Sequence, residues 1–129
     1  MTDEDAVALA HAMFDMARQG RTEELCALLD AGAPVDLTNA GGDTLLILAA
    51  YHEQPGTVRA LLDRGADVER LNDRSQNALT CAVFKQDART VQMLLDAGAD
   101  PDAGSPSSRA TAQYFDLPEM SALLDRAQR

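Results

Sequence analysis

An all-α solenoid of about four stacked helix pairs is the fold this sequence predicts, and three observations predict it. One string recurs at a constant 33-residue period: Leu28-Leu29-Asp30-Ala31-Gly32-Ala33, Leu61-Leu62-Asp63-Arg64-Gly65-Ala66 and Leu94-Leu95-Asp96-Ala97-Gly98-Ala99. Val58, Leu61 and Leu62 fall at i, i+3 and i+4, one face of a helix, and Val91, Leu94 and Leu95 repeat the pattern. The composition points the same way. There are 23 alanines against six valines and one isoleucine, which favours helices over sheet and lets their axes approach closely.

The period divides the 129 residues into 1–38, 39–71, 72–104 and 105–129, read as one domain of two internal repeats between two caps. Asp3 to Gln19 predicts a long first helix, with acidic residues at its start complementing the helix dipole and Gly20 ending it. Glu23 to Leu29 is its partner. In the second unit Thr44 is placed to cap the apolar segment from Leu45 to Tyr51, and Asn77 can do the same in the third. Gly32, Gly65 and Gly98 each follow an apolar helix by three residues, where a left-handed conformation ends it. The last unit reads as abbreviated. Leu123-Leu124-Asp125-Arg126 follows the third copy early, by about one helical turn, so the first helix of this cap is expected to be a turn short. Tyr114-Phe115 would then either seal the end of the core or form a second interaction patch, and Pro118 would sit in the first turn of the final helix. The stretch 102–108, rich in Gly, Ser and Pro, is expected to be a mobile loop.

The period and its residues resemble the ankyrin repeat. The family pattern Gly-x-Thr-Pro-Leu-His-x-Ala-Ala stands here as Gly42-Asp43-Thr44-Leu45-Leu46-Ile47-Leu48-Ala49-Ala50, keeping five of seven specified positions. The third unit retains Leu79 and Ala82. Leu45 and Ala78 replace the usual proline, and Ile47 and Thr80 replace the histidine that typically ties neighbouring turns. With Ser75 and Asn77 also departing from the pattern, the third unit is expected to be weaker and the array to fray from its C-terminal end.

Charge and composition exclude several classes. Eleven Lys and Arg against 21 Asp and Glu give a net charge of −10, which disfavours nucleic acid. Its distribution over the four units, −6, −2, −2 and 0, concentrates negative charge at the N-terminal cap, which reads either as a solvated outer face that keeps the array soluble or as a dock for a basic partner. The longest apolar run, seven residues, is far short of a membrane span. The start, Met1-Thr2-Asp3-Glu4-Asp5, lacks a basic and apolar leader, so a cytoplasmic location is expected, and two cysteines suit that compartment. Ten arginines to one lysine suggest a GC-rich bacterial source. His11 and His52 are distant in sequence, no cysteine pair has metal-ligand spacing, and no placed base accompanies Cys26 or Cys81. No catalytic site, metal or cofactor is expected.

The ankyrin resemblance implies a non-enzymatic module that binds a partner protein through the concave face of turn tips and first helices. By position, that face would comprise Arg18, Asp43, Tyr51, His52, Asp73, Arg74, Gln76, Phe84 and Lys85. Tyr51 and Phe84, one full period apart, should lie side by side in adjacent units. They either pack inward as core or stand exposed as anchors flanked by Arg74 and Lys85. The partner is a protein, with neither nucleic acid nor membrane involved, and the chain is expected to be a monomer. The alternatives are a scaffold subunit, or a groove that binds a small ligand or carries out catalysis.

Overall fold

Helix formation begins with the caps, because the first N–H groups of a helix have no partner within it. In the computed structural model, which describes residues 2–127, Thr2 and Asp5 form a capping box at the start of α1 (Asp3–Gln19). Met1, Gln128 and Arg129, at the outer edges of the two terminal units, lie outside the described residues. The Thr44 hydroxyl accepts the Ile47 N–H at 3.1 Å and starts α3 (Leu45–Tyr51). Asn77 does so for α5 (Ala78–Phe84), taking the Thr80 N–H at 2.9 Å, and Ser107 caps α7 (Ser108–Tyr114). Each of these is followed by a second helix: α2 (Thr22–Asp30), α4 (Pro55–Asp63), α6 (Ala88–Asp96) and α8 (Pro118–Arg126).

The second helices end as the sequence predicts. After α2 the Gly32 N–H donates to Leu29 O and the Ala33 N–H to Leu28 O, the paired bonds of a Schellman motif, and Gly65-Ala66 and Gly98-Ala99 repeat them. The first helices end the same way with a different residue in the left-handed position. Gly20 has φ 74°, but its counterparts Glu53, Gln86 and Asp116 adopt φ 58°, 59° and 52° without being glycine. Each carries a strain of about 1 kcal/mol.

Two layers result. α1, α3, α5 and α7 pack successively into an inner row, and α2, α4, α6 and α8 into an outer one. The core lies between the rows and along the inner one. Ala49, Ala82 and Ala112 occupy one position on successive inner helices and are fully buried, which lets backbones approach. Leu45, Leu46, Leu79, Leu61, Leu94 and Leu124 fill the space between rows.

The turns are held by side chains of the chain itself. Asn39 Oδ1 accepts the N–H groups of Gly41 and Asp43, and Asn72 Oδ1 accepts those of Arg74 and Gln76 in the same way. Neighbouring turns are then joined: Asn72 Nδ2 donates to Asp43 Oδ1 at 2.8 Å, and the Asp73 N–H donates to Gly41 O at 3.0 Å. These bonds, with the Thr80–Ser108 hydroxyl pair at 3.0 Å, link the turns and inner helices in the absence of the family's histidine. Gly42 is required there. Its φ is 80°, and a Cβ would meet Asp73 Oδ1 at 2.7 Å and the Asp73 backbone nitrogen at 3.0 Å.

Three expectations for the C-terminal end need correction. α7 is as long as α3 and α5, at seven residues, so no helical turn is missing. The shortening lies in the turn before it: the step from the start of α5 at Ala78 to the start of α7 at Ser108 is three positions shorter than the step from α3 at Leu45 to α5. Leu94 therefore corresponds to Leu124 and Met93 to Leu123, one residue off from the match of the recurring string, and burial agrees: both Leu94 and Leu124 are fully buried. Tyr114 and Phe115 do not seal the core, being 84% and 51% exposed; Ala112, Met120 and Leu124 close the end instead. The 102–108 stretch is bonded rather than free. The Ser105 N–H donates to Ser75 O at 3.1 Å, and Arg109 pairs with Asp102 at 3.0 Å and with Asp125.

Candidate partner-binding face

Each inner helix from α3 onward ends on an aromatic residue: Tyr51, Phe84 and Tyr114. Tyr51 and Phe84 are 42% and 46% exposed, so they stand at the surface and are not packed inward as core. Tyr114 is a third rung that the offset register conceals. The residues capping α5 and α7 lean on the aromatic that ends the inner helix before. Lys85 Nζ stands 4.4 Å above the Tyr51 ring, and Phe115 meets Phe84 edge-to-face with ring centroids 5.4 Å apart. Helix geometry thus repeats a contact whose chemistry changes from cationic to aromatic along the array.

A cavity of about 260 Å³ opens beside Tyr51, between the turns and the inner row. Arg18, Asp43, Tyr51, His52, Arg74 and Gln76 all line it, six of the nine residues singled out from sequence. Phe84 and Lys85 stand on the next helix. Asp73 is not on the cavity wall; it lies at the turn tip against Gly42, where its backbone joins two turns. Asn72, Ile47, Leu48 and Cys81 also line the cavity, beyond the residues that sequence position singles out. A signal for Asn72 exists, because it repeats Asn39 at the 33-residue period.

The electrostatics are local and mixed. Arg18 pairs with Asp15 at 2.9 Å, and Asp43 is engaged by Asn72, whereas Arg74 and Lys85 make no ion pair with any described residue. His52 is held below the ordinary imidazole value by partial burial, then by Arg18 and Lys85, so it is neutral at pH 7. Burial pushes the Cys81 thiol up to about 12, with Asp43 adding to the effect and Arg74 opposing it. That thiol is inert as a nucleophile at neutral pH. Cys26 is half-buried on α2.

Elsewhere, an apolar groove of about 580 Å³ runs along α1, α2 and the following turn, lined by Leu9, Met13, Leu28, Pro34 and Leu37 among others. Among the described residues, no three His, Cys, Asp or Glu side chains gather as a metal site, and no helix is long and apolar enough to cross a membrane.

The family profile described as ankyrin repeats, in three copies, matches residues 13–105. A curated ankyrin repeat protein of Pseudomonas aeruginosa is 46% identical over 57 residues, which is 44% of this chain and 33% of that protein. This chain's match therefore spans a third of the relative's length. Ankyrin repeats are generally non-enzymatic modules of protein–protein interaction. Repeat period, paired helices, Schellman-ended second helices and profile agree: the chain belongs to the ankyrin-repeat family.

Proposed function

We propose that this chain is a non-enzymatic module that binds a partner protein on its concave face, across Arg18, Asp43, Tyr51, His52, Asp73, Arg74, Gln76, Phe84 and Lys85. The repeats 39–71 and 72–104 carry the centre of that face, between caps 1–38 and 105–129, and the protein works as a cytoplasmic monomer without cofactor. One observation carries the reading: the aromatic ends of successive inner helices stand exposed, the first of them, Tyr51, on the cavity wall. Large exposed aromatics flanked by basic side chains are how interface hot spots are composed. The mechanism is preorganisation. Turns clamped by Asn39 and Asn72 hold the contact residues in place, so little ordering cost remains at binding.

The test is a quantitative pull-down from lysate of the source organism, comparing the wild type with a folded Tyr51→Ala/Phe84→Ala variant. A protein captured by the wild type alone is the expected result. Equal capture by both would move the site off this face.

A further inference from the structure

The face is not uniform along its length. Around the Tyr51 ring it offers Arg74 and Lys85 without ion-pair partners among the described residues, with Arg18 and a neutral His52 beside them. Its C-terminal half offers Phe84, Phe115 and Tyr114 in edge-to-face contact, at centroid separations of 5.4 and 4.9 Å. Of the acidic groups at this face, Asp15 is paired with Arg18, and Asp43, on the cavity wall, accepts from Asn72 while keeping its charge. Glu53 follows His52 in the left-handed position that ends the helix.

We propose, building on the concave-face reading above, that the partner presents an extended acidic–apolar segment: a carboxylate side chain docks at the cavity rim, against Arg74 and His52 of the wall and Lys85 above the Tyr51 ring, and an apolar or aromatic side chain lands on Phe84 and Phe115. Charge complementarity selects the first contact. The chain as a whole carries −10, so its general field repels an acidic segment, and only a local cationic seat can favour one. The aromatic step selects the second, since three exposed rings in mutual contact form an apolar surface without a covering group of their own. The spacing follows from the fold. Neighbouring inner helices lie about 10 Å apart, which an extended chain spans in about three residues. The segment thus carries its acidic and apolar residues about three positions apart, Asp or Glu over the Tyr51 cavity and the apolar residue over Phe84 and Phe115.

The proposal is tested by selecting random 12-residue peptides displayed on phage against the wild-type protein at 150 mM salt. Captured peptides are then measured against Arg74→Glu/Lys85→Glu and Tyr51→Ala/Phe84→Ala, both first shown to be folded. The expected outcome is enrichment of Asp or Glu about three positions from an aromatic or large aliphatic residue. Affinity should fall about tenfold or more in the charge-reversed variant and weaken as salt is raised. Peptides without acidic enrichment that still fail on Tyr51→Ala/Phe84→Ala would overturn the acidic seat and leave the concave-face reading standing. Peptides held equally by both variants would overturn the two together, and a selection that enriches nothing would overturn the acidic–apolar segment.

Discussion

The second and third helix pairs share one backbone plan and fill it with different residues. At buried apolar positions they agree: Leu46 and Leu79, Ala49 and Ala82, Val58 and Val91 and Leu61 and Leu94 are all almost fully buried. At the start of the inner helix they diverge. The second pair has Gly42 at φ 80°, Thr44 as a cap that accepts the Ile47 N–H, and the apolar Ile47. The third has Ser75 at φ 60°, Asn77 with a buried Nδ2 lacking any hydrogen-bond partner, and Thr80 with its hydroxyl turned to Ser108. Strain and an unsatisfied donor therefore concentrate in the third pair, which also supplies Phe84 and Lys85 to the exposed face. Where repeats agree they build the stack; where they differ they set local stability and surface chemistry.

Asn72 is where breaking this comparison should cost most. Asn72→Ala removes the clamp on its own turn and the 2.8 Å bond to Asp43 of the neighbouring turn, so it should destabilise by about 2 kcal/mol, against about 1 kcal/mol for Asn39→Ala, which loses its clamp and a long 3.5 Å bond to Asp43 within its own turn. Equal shifts in urea midpoint for the two variants would show that the Asn72–Asp43 bond contributes nothing. Glycine at the turn comes next. Ser75→Gly should stabilise by about 1 kcal/mol by relieving the positive φ, while Gly42→Ala should destabilise by at least as much, because its Cβ meets Asp73. Thermal melts of the two variants moving in the same direction would refute this.

Asn77→Thr places the cap of the second pair into the third and eliminates the orphan Nδ2, for an expected gain of about 1 kcal/mol. Amide exchange in α5, slower in this variant than in the wild type, would register it locally. Tyr51→Ala and Phe84→Ala should each cost only about 1 kcal/mol, well below the loss of a core ring, since nearly half of each residue is already in water. A large fall in melting temperature for either would assign the rings to the core. The smallest effect concerns pH. His52 is shifted down in the folded protein, so as pH falls the unfolded chain protonates first. Its contribution is complete above the ordinary imidazole value, declines through it, and levels off below the lower folded value. Stability of His52→Gln should lack that component of the decline in a pH series of urea melts.

Much of this is legible in the sequence because it is local. Thr44 and Asn77 as caps, Gly20, Gly32, Gly65 and Gly98 as terminators and the stripe of Val58, Leu61 and Leu62 depend on neighbours within a turn or two. The last unit misleads because the recurring string Leu-Leu-Asp outweighs the burial pattern. A three-residue contraction of the turn and a one-residue shift in α8 together bring the string forward, and the shift hides Tyr114 as the third rung. The link from Asn72 to Asp43 is a contact between units, which spacing alone does not specify. Whether Tyr51 and Phe84 face in or out depends on how the inner helices end, at Glu53 and Gln86 in left-handed conformations that no glycine announces.

Hydrogen exchange of the free and partner-bound protein tests the concave-face reading most directly, because it reports which surface the partner covers. The expected result is protection gained at the turn amides of 39–44 and 72–77 and at the ends of α3 and α5, with α4 and α6 unchanged. Protection gained on α4 and α6, with the turns and inner-helix ends exchanging as in the free protein, would contradict it.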